Sequence, residues 1–117
     1  MNADSVKDLM QAAVAFREER DWGQFHNPKE LAISLAIESA ELLQLMQWHK
    51  GKGLEKVIEE KRGHLQDELA DVLFSVLLLA DELKIDLGKA FLEKLAKTGE
   101  KYPVEKSKGS ARKYTEF

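Results

Sequence analysis

The sequence predicts an all-α domain, a bundle of four main helices that assembles as a dimer or a dimer of dimers. Apolar residues recur at helical spacing over long stretches, and there are only two prolines and no cysteine. Hydrophobic residues make up 44% and charged residues 33% of the chain, which is typical of an ordered helical protein. Residues 72–80 are apolar almost all round, so such a helix must be surrounded by protein on every side. This last feature predicts self-association.

Length and charge exclude several classes of function. A chain of 117 residues is one domain, and its net charge of −3 provides no electrostatic footprint for a nucleic-acid polymer. The absence of cysteine excludes disulfides, thiolate metal sites and cysteine nucleophiles. The longest apolar run is interrupted by Asp71 and Ser75 and is too short to span a membrane. Because the first residues also lack the layout of a signal peptide, we expect a cytoplasmic protein.

The first predicted helix runs from about Asp4 to Arg20. After it, residues 21–26 break the helical period and contain a glycine and three rings, those of Trp22, Phe25 and His26. Such a loop is unusually aromatic for a solvated connection. Two interpretations remain open: the rings anchor the loop to the core, or they contact a ligand.

The second predicted helix has a strong start signal, with Asn27 as the N-cap, proline at the first helical position and Glu30 at the third. It is predicted to run to about Trp48 and to end in a glycine-rich segment, residues 49–53, that supplies a left-handed cap. Glu38 interrupts its apolar stripe, with Glu41 on the flank; the stripe consists of Leu31, Leu35, Leu42, Leu45 and Met46.

Two further helices follow. Residues 54–61 either open the third helix or form a short separate turn, and Gly63 is a possible break. The stripe predicted for the core in the third helix consists of Leu65, Leu69, Val72, Val76, Leu79 and Leu83. Asp86 is the predicted N-cap of the fourth helix, which ends near Gly99 and buries Leu87, Phe91, Leu92 and Leu95. The tail after Pro103 is polar and basic and has no helical period.

Four carboxylates predict a cation site. Glu38 and Glu41 on the second helix, and Glu68 and Asp71 on the third, are each three residues apart and therefore share a helix face. Acids beside apolar stripes are costly unless compensated, and oxygen ligands suit a hard cation. An iron or manganese carboxylate bundle would need Glu-x-x-His on two helices, which is absent. The three histidines are interpreted as surface or loop residues, and the sequence contains no glycine-rich phosphate loop.

These acids also carry a resemblance to a known family. Glu38-x-x-Glu41 followed by Glu68-x-x-Asp71 resembles the signature of all-α nucleoside triphosphate pyrophosphohydrolases of the MazG type. Further segments are similar to the dCTP pyrophosphatase branch, so the resemblance covers nearly the whole chain; they are Arg20–His26, Gln47-Trp48, Lys101-Tyr102-Pro103 and Arg112–Glu116. The chain departs from that branch at Ser75, where relatives often carry tyrosine, and at Thr98, where they often carry asparagine.

The resemblance implies a function and a site. The expected reaction is the Mg²⁺-dependent hydrolysis of a (deoxy)nucleoside triphosphate, dCTP among the better substrates, to the monophosphate and pyrophosphate, as house-cleaning of the nucleotide pool. The four acids, Glu38, Glu41, Glu68 and Asp71, are the expected metal ligands and catalytic residues, with Mn²⁺ as a possible substitute ion and Glu41 as the favoured base. The expected substrate-binding residues are Trp22, His26, Trp48, Ser75, Lys94, Lys101, Tyr102, Arg112 and Lys113.

The predicted domain organisation assigns residues 1–103 to the MazG-like domain and residues 104–117 to the basic tail. The tail is either a disordered terminus or a segment that closes over the triphosphate. An alternative for the whole chain is a non-catalytic helical oligomerisation module, in which the acids pair with lysines across a subunit interface. The sequence argues against this alternative, because lysine and arginine cluster in the tail and loops and not on the core stripes.

Overall fold

The computed structural model describes residues 5–117, which contain six α-helices and two short 3₁₀ helices and no strand. The α-helices are α1 (Val6–Glu19), α2 (Pro28–Gln44), α3 (Gly51–Glu60), α4 (Arg62–Glu82), α5 (Leu87–Lys101) and α6 (Val104–Ser107); the 3₁₀ helices are Trp22–Phe25 and Tyr114–Glu116. The predicted all-α class is confirmed, with α1, α2, α4 and α5 as the four main helices. Asp4, the predicted first residue of the first helix, lies outside the described residues.

Side-chain caps begin the helices where the sequence predicts them. Asn27 Oδ1 accepts a hydrogen bond of 2.8 Å from the backbone N–H of Glu30, and proline occupies the first turn of α2. Asp86 Oδ1 accepts one of 3.2 Å from the backbone N–H of Lys89 at the start of α5. Each cap satisfies a backbone donor that has no partner within its own helix.

The predicted helix ends need three corrections. α2 stops at Gln44 and not near Trp48, because hydrogen bonds spanning three residues, such as Met46 N–H to Leu43 O at 3.0 Å, tighten the chain into turns. The segment after it forms a separate helix, α3, and the break before α4 falls at Lys61 instead of Gly63. α5 continues to Lys101, past the predicted end near Gly99.

The unit that ends at Ile85 is built around α4. α2 packs along α4 most extensively, and α1 and α3 also contact it. The buried apolar side chains of this unit are Ala13, Leu31, Leu77, Leu78 and Ala80. Of the stripe predicted for the second helix, Leu31 is buried and Leu35 and Leu42 are half-buried, with Glu38 between them; Leu45 and Met46 are half-buried but lie after the end of α2.

The core stripe predicted for α4 is wrong. Leu69 is 56% exposed and Leu83 is 48% exposed, whereas Glu68 and Ser75 are buried together with Leu78. The apolar residues of α4 lie on every side between residues 72 and 80, so their period does not select one face. The packing of α1 and α2 against α4 decides which face of α4 is buried. As a consequence, Glu68 lies within the buried face of α4 and not beside it.

A buried arginine joins α1 to the last turn of α4. The guanidinium of Arg17 donates hydrogen bonds to Asp81 Oδ2 at 3.0 Å and to Glu82 Oε1 at 3.2 Å, and it also contacts Glu18. Burial alone would lower the pKa of Arg17, but the hydrogen bonds to Asp81 and Glu18 outweigh it and raise that pKa. The sequence pattern predicted no cation in the core, and Arg17 corrects that expectation.

The second unit, Asp86–Phe117, contains α5, α6 and the tail. The stripe predicted for α5 is not buried, since Phe91, Leu92 and Leu95 are each more than half exposed. The tail is ordered in short helical segments, α6 and the second 3₁₀ helix. Among the described residues, no helix is long and apolar enough to cross a membrane. The domain boundary after residue 103 stays a prediction.

Candidate metal centre and nucleotide site

Three of the four predicted acids meet between α2 and α4. One carboxylate oxygen each from Glu38, Glu41 and Glu68 lies within 4.8 Å of the others. Spacing of three residues places Glu38 and Glu41 on one side of α2, and the packing of α2 on α4 brings Glu68 against them. The structure thus joins two separate acid motifs into one cluster.

The burial of this cluster indicates what it can bind. Glu68 is 8% exposed, Glu38 is half-buried and Glu41 is exposed. Oε2 of Glu38 and Oε2 of Glu68 are buried and have no hydrogen-bond partner among the described residues. Buried carboxylate oxygens without a partner are strongly unfavourable, and a cation with oxygen ligands is the group that compensates them. The residues present therefore fit a hard divalent metal ion.

The surroundings of Glu38 favour its protonated form. Burial, followed by the contact with Glu68 and the negative charge of Glu41, raises the pKa of Glu38 from 4.5 to about 7. The charge of Asp71 contributes in the same direction, so the fourth predicted acid is near enough to influence the cluster. A bound cation would oppose these effects, because its charge favours the ionised carboxylate.

Asp71 itself is exposed and lines a groove between α1 and α4. The groove has a volume of about 430 Å³ and is otherwise apolar; its lining residues are Leu9, Ala12, Ala13 and Phe16 from α1, and Ala70, Asp71, Leu73, Phe74 and Leu77 from α4. A space of this size and character is typical of small-molecule sites. Asp71 therefore lines this groove and is also near enough to the acid cluster for its charge to act on Glu38.

Of the three rings predicted to bind the base, Trp22 and His26 lie close together and Trp48 lies apart from them. Trp22 packs edge-on against Phe16 of the groove wall, with ring centroids 5.6 Å apart, and against His26 at 6.4 Å. Phe16 in turn meets Phe74 across the groove at 5.8 Å. Trp22 therefore anchors its loop and also lies beside the groove. Trp48 is 84% exposed in the turn after α2.

One contact and one buried side chain near the site are not predicted by the sequence pattern. His64 is exposed, as predicted, and its Nε2 lies 3.4 Å from Oε1 of Glu68. Their spacing of four residues on one helix was the signal that could have revealed the contact. Ser75, an expected substrate-binding residue, is 5% exposed on the same buried face as Glu68.

The remaining predicted residues lie in the second unit. Tyr102 forms a cluster of rings with Tyr114 and Phe117, at centroid distances of 5.7 and 5.8 Å. The ammonium of Lys101 lies 4.9 Å from the ring centre of Tyr114, and the guanidinium of Arg112 lies 5.8 Å from that of Phe117. Lys94 and Lys113 are exposed.

The chain is similar to known proteins in sequence and in structure. Residues 33–117 match the model of the MazG-like family. The chain is 38% identical over 115 residues to dCTP pyrophosphatase 1 of Rattus norvegicus, an alignment that covers 97% of this chain and 68% of that protein; the Homo sapiens protein of the same name is 37% identical over the same shares. A crystal structure of a pyrophosphatase from Archaeoglobus fulgidus is similar with a TM-score of 0.77 and 39% identity, covering 83% of this chain and 91% of that one.

Proposed function

Because the chain belongs to the MazG-like family and is a nucleoside triphosphate pyrophosphohydrolase, we propose that it hydrolyses dCTP and related deoxynucleotides in a Mg²⁺-dependent reaction. The products are the nucleoside monophosphate and pyrophosphate, which makes house-cleaning of the nucleotide pool the fitting physiological role. The alternative of a non-catalytic helical module is set aside, since the family relationship identifies an enzyme.

The acid cluster supports the metal dependence of this proposal. Glu38, Glu41 and Glu68 present oxygens within 4.8 Å of one another, and two of the buried oxygens have no other partner among the described residues. These three acids, with Asp71, would hold Mg²⁺, or Mn²⁺ in its place. When bound, the ion supplies Lewis-acid polarisation of the phosphoryl oxygens and neutralises charge on the triphosphate.

The residues of the chain have separate roles in the reaction. Water attacks one phosphorus of the α–β phosphoanhydride, the bond from that phosphorus to the bridging oxygen breaks, and the two products are the monophosphate and pyrophosphate. Glu41 is the proposed base that receives the water proton, because it is the exposed member of the cluster and solvent can reach it. Glu38 and Glu68, which are less exposed, hold their carboxylates in place by packing between α2 and α4.

A nucleotide panel tests this function. We expect pyrophosphate release from dCTP with Mg²⁺ and none with EDTA, and we expect the monophosphate as the other product. Release of orthophosphate instead of pyrophosphate, or equal turnover in EDTA, would contradict the proposal.

Ser75 stands where relatives of the dCTP branch often carry tyrosine, so selectivity among bases and sugars should be weaker than in a tyrosine-bearing relative. The substitution Ser75→Tyr tests that difference, and its Tm must be measured as well, because Ser75 is buried and a larger side chain can disturb the packing of α4.

We also propose that the nucleobase binds beside the rings of Trp22 and His26. Trp48 lies at the opposite end of α2, a helix of 17 residues, so it can line the same pocket only from a second copy of the chain. Trp22 contacts Phe16 of the groove wall, which brings an indole next to an apolar space that ends at Asp71. Trp48 exposes most of its indole, and this surface is available for stacking. Stacking tolerates every base, so selection among bases requires hydrogen bonds to their edges.

Replacing either indole is expected to weaken nucleotide binding. Trp22→Ala and Trp48→Ala should each raise the Kd for dCTP by roughly 5- to 100-fold, since stacking of a base on a ring contributes about 1–3 kcal/mol. Mg²⁺ binding should not change. Calorimetric titration with a slowly hydrolysed dCTP analogue measures nucleotide binding, and a separate titration with Mg²⁺ measures metal binding. Phe25→Ala is a matched control, because Phe25 is an exposed ring of the same 3₁₀ helix without a proposed ligand. If both tryptophan variants bind as the wild type does, Trp22 only anchors its loop, Trp48 does not contact the base, and the base binds elsewhere.

A second copy of the chain is the proposed partner, as a dimer or a dimer of dimers. Of the α4 residues first expected at the interface, Leu77 and Leu78 are buried within one chain. Leu69 and Leu73 remain 56% and 43% exposed on the same helix, and apolar surface of this kind on a long central helix favours a partner.

Charge introduced at this surface is expected to prevent self-association. The double variant Leu69→Lys, Leu73→Lys should sediment as a folded monomer at micromolar concentration, while the wild type sediments as a dimer or tetramer. Phe25→Lys, which changes an exposed ring outside α4, is the control and should leave the sedimentation coefficient unaltered. A wild-type protein that is monomeric and folded under these conditions would exclude the proposed assembly.

A further inference from the structure

The imidazole of His64 contacts a carboxylate of the acid cluster from the first turn of α4. Nε2 of His64 lies 3.4 Å from Oε1 of Glu68, which is one helical turn further along. The side chain of His64 is 54% exposed, whereas that of Glu68 is only 10% exposed. The contact therefore joins a ring at the surface of the molecule to a carboxylate that is almost fully buried.

The two oxygens of the Glu68 carboxylate have different surroundings. Oε1 has the imidazole of His64 beside it, but Oε2 is buried and has no hydrogen-bond partner among the described residues. An oxygen of Glu68 also lies within 4.8 Å of oxygens of Glu38 and Glu41. A carboxylate that accepts a hydrogen bond at one oxygen has a fixed orientation, because rotation about its last torsion would break that bond. The contact with His64 thus leaves Oε2 as the oxygen that is free for a cation.

A neutral donor suits this position better than a cationic side chain. Within residues 5–117, the ion pairs include no lysine or arginine that pairs with Glu38, Glu41 or Glu68. A lysine there would neutralise the charge that attracts a metal ion and would compete with the ion for the carboxylate. The N–H of an imidazole donates without a charge, so the cluster keeps its negative charge for a divalent cation. The inference therefore requires no ionisation of His64.

The position of His64 is that of a residue that orients a ligand and is not itself one. The groups whose donor atoms lie within 4.8 Å of one another are Glu38, Glu41 and Glu68, and His64 is not among them. Its Nε2 is 3.4 Å from Glu68, slightly further than in a well-formed N–H···O bond of about 2.7–3.2 Å. A small rotation of the exposed ring brings the N–H into that range.

We propose that His64 is a positioning residue of the metal site, whose Nε2–H donates to Oε1 of Glu68 and directs Oε2 toward the cation. This inference rests on the proposed function, since it requires a metal ion at the acid cluster. Loss of a hydrogen-bond partner that orients a metal ligand typically costs about 10- to 100-fold in metal affinity. The role of His64 is therefore measurable in metal binding itself, without a nucleotide.

Titration of the full-length protein with Mn²⁺, followed by the electron paramagnetic resonance signal of the free ion, tests this role. His64→Ala should raise the Kd for Mn²⁺ by about 10-fold. His64→Gln retains an N–H donor and should bind Mn²⁺ within about 3-fold of the wild type. His49→Ala is the matched control, because His49 is an exposed histidine outside α2 and α4, and the Kd should not change.

The Tm of the metal-free protein distinguishes positioning from a structural role. In EDTA, His64→Ala should unfold within about 2 °C of the wild type, because an alanine at an exposed helical position changes stability little. Three results would overturn the inference: wild-type Mn²⁺ affinity in His64→Ala, equal losses of affinity in His64→Ala and His64→Gln, or a decrease in Tm of more than about 5 °C in metal-free His64→Ala.

Assays of dCTP hydrolysis separate this inference from the proposed function. If the wild type hydrolyses dCTP with Mg²⁺ and His64→Ala binds Mn²⁺ as the wild type does, only the role of His64 is refuted. If the wild type turns over dCTP equally in EDTA, or binds no Mn²⁺, the metal dependence in the proposed function is refuted and the role of His64 with it.

Discussion

Glu38→Gln is expected to reduce Mg²⁺-dependent pyrophosphate release by about 10²- to 10³-fold or more, the range seen when one charge-stabilising group is removed from an active site. Glutamine has nearly the shape of glutamate, but it has only one oxygen and no charge with which to compensate a cation. Asp71→Asn should have a similar effect, since its charge acts on the same cluster. Release of pyrophosphate from dCTP measures both variants. Glu59→Gln on α3, an exposed acid outside the cluster, is the control.

The same substitution should stabilise the metal-free protein at alkaline pH. Glu38 has a pKa of about 7 in the folded protein and 4.5 as its ordinary value, so the folded state holds the proton more tightly. Stability is therefore lost as the pH rises from about 4.5 through 7, by about 1.4 kcal/mol for each unit of pKa difference. The amide that replaces the carboxyl group in Glu38→Gln never ionises. In EDTA, the variant should exceed the wild type in Tm at pH 8, and this advantage should disappear below pH 5.

These two measurements distinguish a metal site from a structural acid. A structural role for Glu38 would lower both stability and activity, whereas a metal ligand lowers activity while the metal-free fold gains stability. Near-normal hydrolysis by Glu38→Gln, or by Asp71→Asn, would show that the acids were assigned wrongly. Loss of Mg²⁺ binding in parallel with activity, measured by calorimetry, would support the assignment.

Local signals in the sequence were sufficient to predict much of the fold. Asn27 and Asp86 are short-range caps whose hydrogen bonds involve residues three positions away, so their function does not depend on the rest of the molecule. The stripe of α2 is interrupted by polar residues, and its period therefore identifies a single buried face. α4 is different, because its apolar residues surround the helix. Which face of α4 is buried depends on the side chains of α1 and α2 that pack against it. The spacing of apolar residues within α4 does not contain this information.

The acid cluster was predictable and its surroundings were not. Spacing of three residues on two helices is enough to expect that Glu38, Glu41 and Glu68 meet once those helices pack. The groove beside Asp71 depends on α1, whose small residues Ala12 and Ala13 give no signal in the sequence that they line a cavity. Arg17 was missed for a related reason: its partners on α4 are more than sixty residues away.

Arg17 is the residue whose loss should destabilise the fold most among the charged side chains. Arg17→Met keeps the apolar stem but leaves Asp81, Glu82 and Glu18 facing one another without a cation. Removing one partner of a buried ion pair costs about 3–5 kcal/mol, and because Asp81 and Glu82 are each 28% exposed, we expect a smaller loss of about 2–3 kcal/mol. Thermal unfolding should show a decrease in Tm on the order of 10 °C.

Two further variants show whether the stability lost in Arg17→Met comes from its ion pairs: Arg20→Met is the control, and Asp81→Asn removes one partner of Arg17. Arg20→Met removes an arginine three residues away that is 41% exposed and contacts Glu19 and the ring of Phe16, and it should cost less than about 1 kcal/mol. Asp81→Asn added to Arg17→Met should recover part of the lost stability, since it removes one of the unpaired charges. A loss in Arg17→Met no larger than in Arg20→Met would show that packing along α1 and α4, and not this ion-pair network, holds the two walls of the groove together.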